Sequence, residues 1–224
     1  MRKNGKKLFL TGWGLLLCFV LWTGLIQTVD VQPVGQNGTE IGFAGVNTWF
    51  HNLTGVHMGI YTVTDWLGLV PIAICMIFAV LGAIQLIKRK NLLKVDRDIL
   101  LLGVYYLFVI FGYLIFEMIP INYRPVLIEG ILEASYPSST TLLVLSVMPT
   151  LYFQAHRRIE NKIFLYLIDI FVILFSLFMV IGRTIAGVHW LTDIFGSVLL
   201  SAGLYLIYHG GVLLAEGRKQ HGIS

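Results

Sequence analysis

Six apolar stretches divide the chain, at about 8–28, 66–87, 99–119, 139–155, 163–182 and 191–214. A helix needs roughly 17–25 mostly apolar residues to cross the hydrocarbon core of a bilayer, and each stretch meets that length. Lipid offers no partner for backbone N–H and C=O groups, so such segments must be helical. The expected fold is all-α, a polytopic membrane protein built as a six-transmembrane-helix bundle. One polar outer loop is expected at 29–65, and residues 1–224 are expected to form a single integral membrane domain. Composition agrees, since 57% of the 224 residues are hydrophobic and 12% are charged, against about 45–50% and about 25% in soluble domains. An ordinary soluble enzyme, a disordered chain and a disulfide scaffold are thereby excluded. Cys18 and Cys75 both lie inside apolar runs, with no CxxC pair and no metal-ligand spacing.

The net charge of +4 would raise nucleic acid as a partner in a soluble chain. In a membrane protein, the position of each cation matters more than the sum. With a cytoplasmic N-terminus, Arg2, Lys3, Lys6 and Lys7 fall inside. So do Lys88, Arg89, Lys90, Lys94 and Arg97, then Arg157, Arg158 and Lys162, and finally Arg218 and Lys219. Fourteen of the 16 Lys and Arg residues therefore share one side, which places both termini in the cytoplasm. The expected location is a bacterial plasma membrane. The first run follows a basic start like that of a signal peptide. It is too long for one and lacks a clean small-residue cleavage site, so it is expected to stay as the first helix. In the outer loop, Ile41–Phe50 is mildly amphipathic, as in a helix lying in the interface.

Only Arg124 and Arg183 remain outside, and reactive residues gather around them. Pro137-Ser138 precedes an apolar run, as at a helix start with Ser138 near the N-cap. The free N–H groups and dipole of such a helix favour an anion, and arginine forks suit phosphate oxygens. His189 and Asp193 stand four apart at the start of the last run, so they share a helix face. A carboxylate on one imidazole nitrogen leaves the other free as nucleophile or base. Two arginines, a helix N-terminus and a His–Asp pair together fit phosphoryl transfer through a phosphohistidine. No carboxylate cluster points to magnesium, so neither a metal nor another cofactor is expected. Trp190 is expected to be an interfacial anchor. Asp169, within about two turns of a helix end, is expected to snorkel or to make a polar interhelical contact.

At these residues the chain resembles the type 2 phosphatidic acid phosphatase family, the membrane relatives of vanadium haloperoxidases. That family carries Lys-x6-Arg-Pro, Pro-Ser-Gly-His and Ser-Arg-x5-His-x3-Asp. Arg124-Pro125 matches the end of the first motif, Pro137-Ser138 the start of the second, and Arg183-x5-His189-x3-Asp193 the third. The resemblance implies that His189 is the nucleophile and Asp193 its orienting partner, with Arg124, Ser138 and Arg183 holding the phosphate. Three positions depart from the pattern. Glu117 stands for the first-motif Lys, Ser139-Thr140 for Gly-His, and Gly182 for the leading Ser. The missing His is the family's general acid. Glu117 is read either as a site residue or as a carboxylate paired to Arg124, and Thr140 as an ordinary helix residue.

Loss of a general acid matters most when the leaving group is poor. A diphosphate lipid leaves as a phosphate monoester, so a polyprenyl diphosphate is the favoured substrate of a lipid phosphatase or phosphotransferase acting at the outer face. The alternative is a catalytically degenerate member that binds a phospholipid headgroup. Either way the expected partners are a membrane lipid and the bilayer, and not nucleic acid.

Overall fold

A computed structural model describes residues 2–221, with the side chains of residues 3–217. The side chains of Arg2, Arg218 and Lys219, assigned above to the inner charges, lie outside the described residues. Eight α-helices occur among the described residues: α1 Arg2–Ile26, α2 Ala44–Thr54, α3 Met58–Leu67, α4 Leu69–Arg89, α5 Arg97–Met118, α6 Ser139–Arg158, α7 Lys162–Ile185 and α8 Leu191–His221. The fold is all-α and membrane-embedded in character.

Five helical stretches among the described residues are long and apolar enough to cross a membrane. They are Lys3–Ile26, Met58–Arg89, Arg97–Met118, Lys162–Ile185 and Leu191–Gly217. The expected fourth crossing, α6, has the length but not the apolarity. Thr140, Thr141, Ser146, Thr150 and Gln154 lie along it, and all five are buried. It packs against α4, α5, α7 and α8, and its polar side chains find partners there. Tyr106 Oη lies 2.7 Å from Thr150 Oγ1, and Gln154 donates to Tyr208 Oη.

The outer loop expected at 29–65 is shorter than the sequence indicated. Its second half is helical, and α3 runs almost directly into α4 across Gly68. The amphipathic stretch becomes α2, with Val46, Trp49 and Leu53 exposed and Asn47 turned inward. Asn47 Nδ2 donates to Thr192 Oγ1 at 3.0 Å, which braces α2 on the first turn of α8. Asp169 makes the interhelical contact expected of it, with His156 Nε2 3.5 Å away on α6.

Helix α8 is the central element, packed against α1, α5 and α6. Its seam with α1 is built from small residues that let two backbones approach closely. A Cβ added at Gly12 would lie 2.7 Å from the Gly203 carbonyl, and one at Gly210 would lie 2.7 Å from the Phe9 amide nitrogen. At the end of the bundle where α4 and α6 finish, Asp98 is buried between Arg157 and Arg158, at 3.2 and 2.8 Å. Arg157 also pairs with Glu216 of α8. This network ties α5, α6 and α8 at the end opposite Arg124 and Arg183.

Overpacking a close seam typically costs about 1–3 kcal/mol. The Gly12→Leu variant is therefore expected to lower the unfolding temperature in detergent. A Gly14→Leu variant, whose Cβ meets nothing within 4 Å, is expected to change it little. Equal effects would contradict the α1–α8 seam.

Candidate functional site

The segment between α5 and α6 folds back on itself as a short antiparallel ribbon. Arg124 N donates to Glu133 O at 3.1 Å and Ser135 N to Asn122 O at 2.9 Å, with Tyr123 opposite Ala134. The ribbon closes at Glu129-Gly130, whose φ values of 51° and 82° are both positive. Ile128 and Ile131 exchange backbone hydrogen bonds across them. This is the two-residue type I′ turn, whose twist matches paired strands. Side chains alternate along a strand, so Asn122, Arg124, Glu133 and Ser135 share one face. That face meets the start of α8.

There it meets Asp193, which is fully buried. Its Oδ1 accepts from Asn122 Nδ2 at 3.1 Å. Its Oδ2 accepts from Ser135 Oγ at 2.5 Å and from Trp190 N at 2.9 Å. His189 lies in the turn just before α8 and not on its face as the i,i+4 spacing predicted, and its Nδ1 stands 3.9 Å from Asp193 Oδ2. Ser135 fills the gap. His189 Nδ1 lies 3.1 Å from both the carbonyl oxygen and the Oγ of Ser135. A carbonyl only accepts, so Nδ1 carries the ring proton and Nε2 presents a lone pair. The carboxylate acts on the imidazole through a serine relay, and the direct contact expected from sequence is replaced by it.

His189 Nε2 faces Arg183, whose Nη2 is 3.5 Å away. Arg183 is 1% exposed, and its Nη1 lies 3.5 Å from Thr64 Oγ1 and 3.6 Å from Asp65 Oδ1, both on α3. Both arginines lie over the ring of Tyr61, with Cζ at 4.9 Å for Arg183 and 5.7 Å for Arg124. Arg124 Nε is 3.1 Å from Glu133 Oε2, an ion pair by distance without the alignment of a hydrogen bond. Arg124 Nε and Nη1 and Arg183 Nε are buried and have no hydrogen-bond partner among the described residues. Unmet donors of this kind, in two adjacent buried cations, suit an anion with several oxygens.

A cavity of about 200 Å³ opens in front of His189, lined among others by Tyr113, Glu117, Arg124, Glu133, Ser135 and Ser139. Ser139 is the first residue of α6, so the cavity reaches that helix's N-terminus. Ser138 is the N-cap residue expected, yet its side chain does not cap the helix. Its Oγ donates to Thr141 Oγ1 at 3.0 Å, and its N–H donates to Asp193 O at 3.3 Å. Thr140 turns away from His189 toward Asp65 and Gly68. Glu117 borders the cavity, and the carboxylate paired to Arg124 is Glu133 instead. Trp190 is no interfacial anchor. It is buried, with Nε1 donating to Tyr123 O at 2.8 Å.

Four site side chains escaped the sequence reading on the ribbon side or in α3: Asn122, Glu133, Ser135 and Tyr61. The period-two spacing of Asn122-x-Arg124 and Glu133-x-Ser135 was the available signal. The loop holding His189 is itself clamped, as His57 N donates to Ala186 O at 2.9 Å. At Gly187, φ is +70° and a Cβ would sit 2.0 Å from the Gly55 carbonyl oxygen, so only glycine fits.

With this geometry in view, comparison with known proteins is specific. The family model of the PAP2 superfamily matches residues 101–213, just over half of the chain. The chain belongs to that superfamily. Its fold is similar to the crystal structure of a transmembrane PAP2-type phosphatidylglycerolphosphate phosphatase from Bacillus subtilis. The TM-score is 0.54 at 18% identity, covering 94% of this chain and 96% of that chain. A sequence comparison with curated proteins gives no match.

Burial, reinforced by Arg124 and Arg183, holds the His189 pKa well below the ordinary histidine value. As pH falls below about 6.5, the unfolded chain takes up this proton before the folded chain does. Stability is thus retained above that pH and lost below it, until pH passes the folded-state pKa. Thermal unfolding in detergent between about pH 7 and about pH 5 is expected to show a shallower loss for His189→Gln than for the unaltered protein. Equal slopes would contradict a neutral, buried His189.

Proposed function

We propose that this chain is a membrane lipid phosphatase or phosphotransferase that works through a phosphorylated His189. In this account α6 also crosses the membrane, enclosed by its neighbours, so a single six-crossing domain carries the site at the outer face and both termini in the cytoplasm. One geometric fact carries the chemistry. His189 is anchored through Nδ1, while Nε2 presents its lone pair beside Arg183 and a small cavity that Arg124 enters.

Nε2 attacks the phosphorus of a lipid phosphate or diphosphate, and the P–O bond to the leaving group breaks. Positive charge then develops on the imidazole, which Asp193 stabilises through Ser135. Arg124, Arg183 and the first N–H groups of α6 neutralise charge on the phosphoryl oxygens, as fixed donors do without reorganising. Ser138 holds the register of α6 against α8 and places those N–H groups, while Ser139 borders the phosphate.

Neither hydroxyl at Ser139 or Thr140 replaces the family's missing histidine as an acid. This favours a leaving group that departs without a proton, and so a polyprenyl diphosphate over a simple phosphatidate. The name of the structural neighbour adds phosphatidylglycerol phosphate to the substrates worth testing.

Purified protein in detergent is to be assayed for phosphate release from polyprenyl diphosphate, phosphatidate and phosphatidylglycerol phosphate, with and without chelator. The diphosphate is expected to be fastest, with chelator harmless and His189→Ala inactive. Arg124→Ala is expected to lose about 10²–10³-fold, as for removal of one charge-stabilising donor. Release that is absent from all three lipids, or indifferent to His189→Ala, would favour a headgroup-binding member of the superfamily instead.

A further inference from the structure

We propose that Glu133 is the catalytic base of the second half-reaction, in which water removes the phosphoryl group from His189. This rests on the phosphohistidine reading above. Glu133 lies in the same cavity as His189 and Arg124. Its place there follows from the ribbon. It sits directly across from Arg124, and two residues before Ser135 on the same face. Ser135 touches His189 Nδ1. A two-residue step along a strand is roughly 6–7 Å, so Glu133 is set apart from Ser135 along the wall of a cavity of about 200 Å³ that both line together with His189.

A purely structural ion pair across the ribbon is the competing explanation. Such a pair would satisfy Arg124, but Nε and Nη1 remain without hydrogen bonds among the described residues. Glu133 instead borders the cavity with its side chain about a third exposed, 36% against 9% for Arg124. Its carboxylate therefore touches both the reacting volume and a route for protons to water.

The oxygen of water forms a bond to phosphorus as the P–Nε2 bond breaks. The electron pair of that bond returns to Nε2, restoring the neutral imidazole with its proton on Nδ1. The proton lost by water passes to the Glu133 carboxylate and then to solvent. The first half-reaction still lacks an acid, which is consistent with a diphosphate substrate.

The test is rapid-quench kinetics with polyprenyl diphosphate labelled in the terminal phosphate, following both lipid monophosphate and alkali-stable phosphoprotein. Glu133→Gln is expected to keep a burst of about one lipid monophosphate per enzyme, accumulate phosphoprotein, and slow its decay by about 10²–10⁴-fold. Glu133→Asp is expected to recover part of the decay rate, and Glu160→Gln, an exposed site at the far end of the bundle, to behave as the unaltered protein. Unchanged decay in Glu133→Gln would overturn the proposal while leaving the His189 mechanism standing. A lost burst would overturn it too, assigning Glu133 to the positioning of Arg124. Turnover with no phosphoprotein in any variant, and undiminished by His189→Ala, would overturn the His189 mechanism and this proposal with it.

Discussion

The buried carboxylate of Asp193 holds the site together. An unsolvated carboxylate is costly unless donors surround it, and this one collects three, from Asn122, Ser135 and the Trp190 amide. Two of these belong to the ribbon after α5, and the third to the turn that opens α8. Its own carbonyl accepts from Ser138, which starts α6. One residue thereby fixes three chain segments, and each brings one component: Arg124 on the ribbon, N–H groups at α6, and His189 at α8. Because Ser135 stands between Asp193 and His189, the ring orientation and the ribbon register are one constraint.

The second constraint is charge. Arg124 and Arg183 approach each other over Tyr61 in a largely desolvated place, which like charges oppose. Glu133 and Asp65 offset this only in part, since buried N–H groups of both arginines remain unpaired among the described residues. A phosphoryl group brings the negative charge that such a pair lacks. The opposite end of the bundle also gathers cations, but there Asp96, Asp98 and Glu216 occupy them. The contrast separates a tie between helices from a place suited to a ligand.

Much of this was legible from local spacing. All six runs have the length of a crossing, five of them also the apolarity, and Arg183, His189 and Asp193 fall together because six- and four-residue intervals at a helix–turn–helix junction converge. The fourth run, α6, reads as a crossing like the rest but falls short in apolarity, since its polar residues are buried against neighbouring helices, a tertiary matter. The ribbon stayed hidden for a related reason. Whether Ser135 meets Asn122 depends on strand register, which the Glu129-Gly130 turn sets, and a Glu-Gly pair is a fainter hairpin signal than Asn-Gly. Asp193 and His189 are expected in direct contact and stand 3.9 Å apart, because no spacing rule brings a distant serine between them. Glu117, seven residues upstream of Arg124, is read either as a site residue or as its ion-pair partner; it borders the cavity, whereas cross-strand pairing supplies Glu133 as the partner.

The central claim is that the two arginines and His189 bind one phosphoryl group. Its most direct test is to locate a tungstate ion, as a phosphate analogue, by its anomalous scattering in crystals of the protein. The account predicts a single strong peak within bonding or hydrogen-bonding reach of His189 Nε2, between Arg124 and Arg183, that disappears in Arg183→Ala. A peak confined to the Arg157–Arg158 end of the bundle, or one at the His189 end that is untouched by losing Arg183, would contradict it.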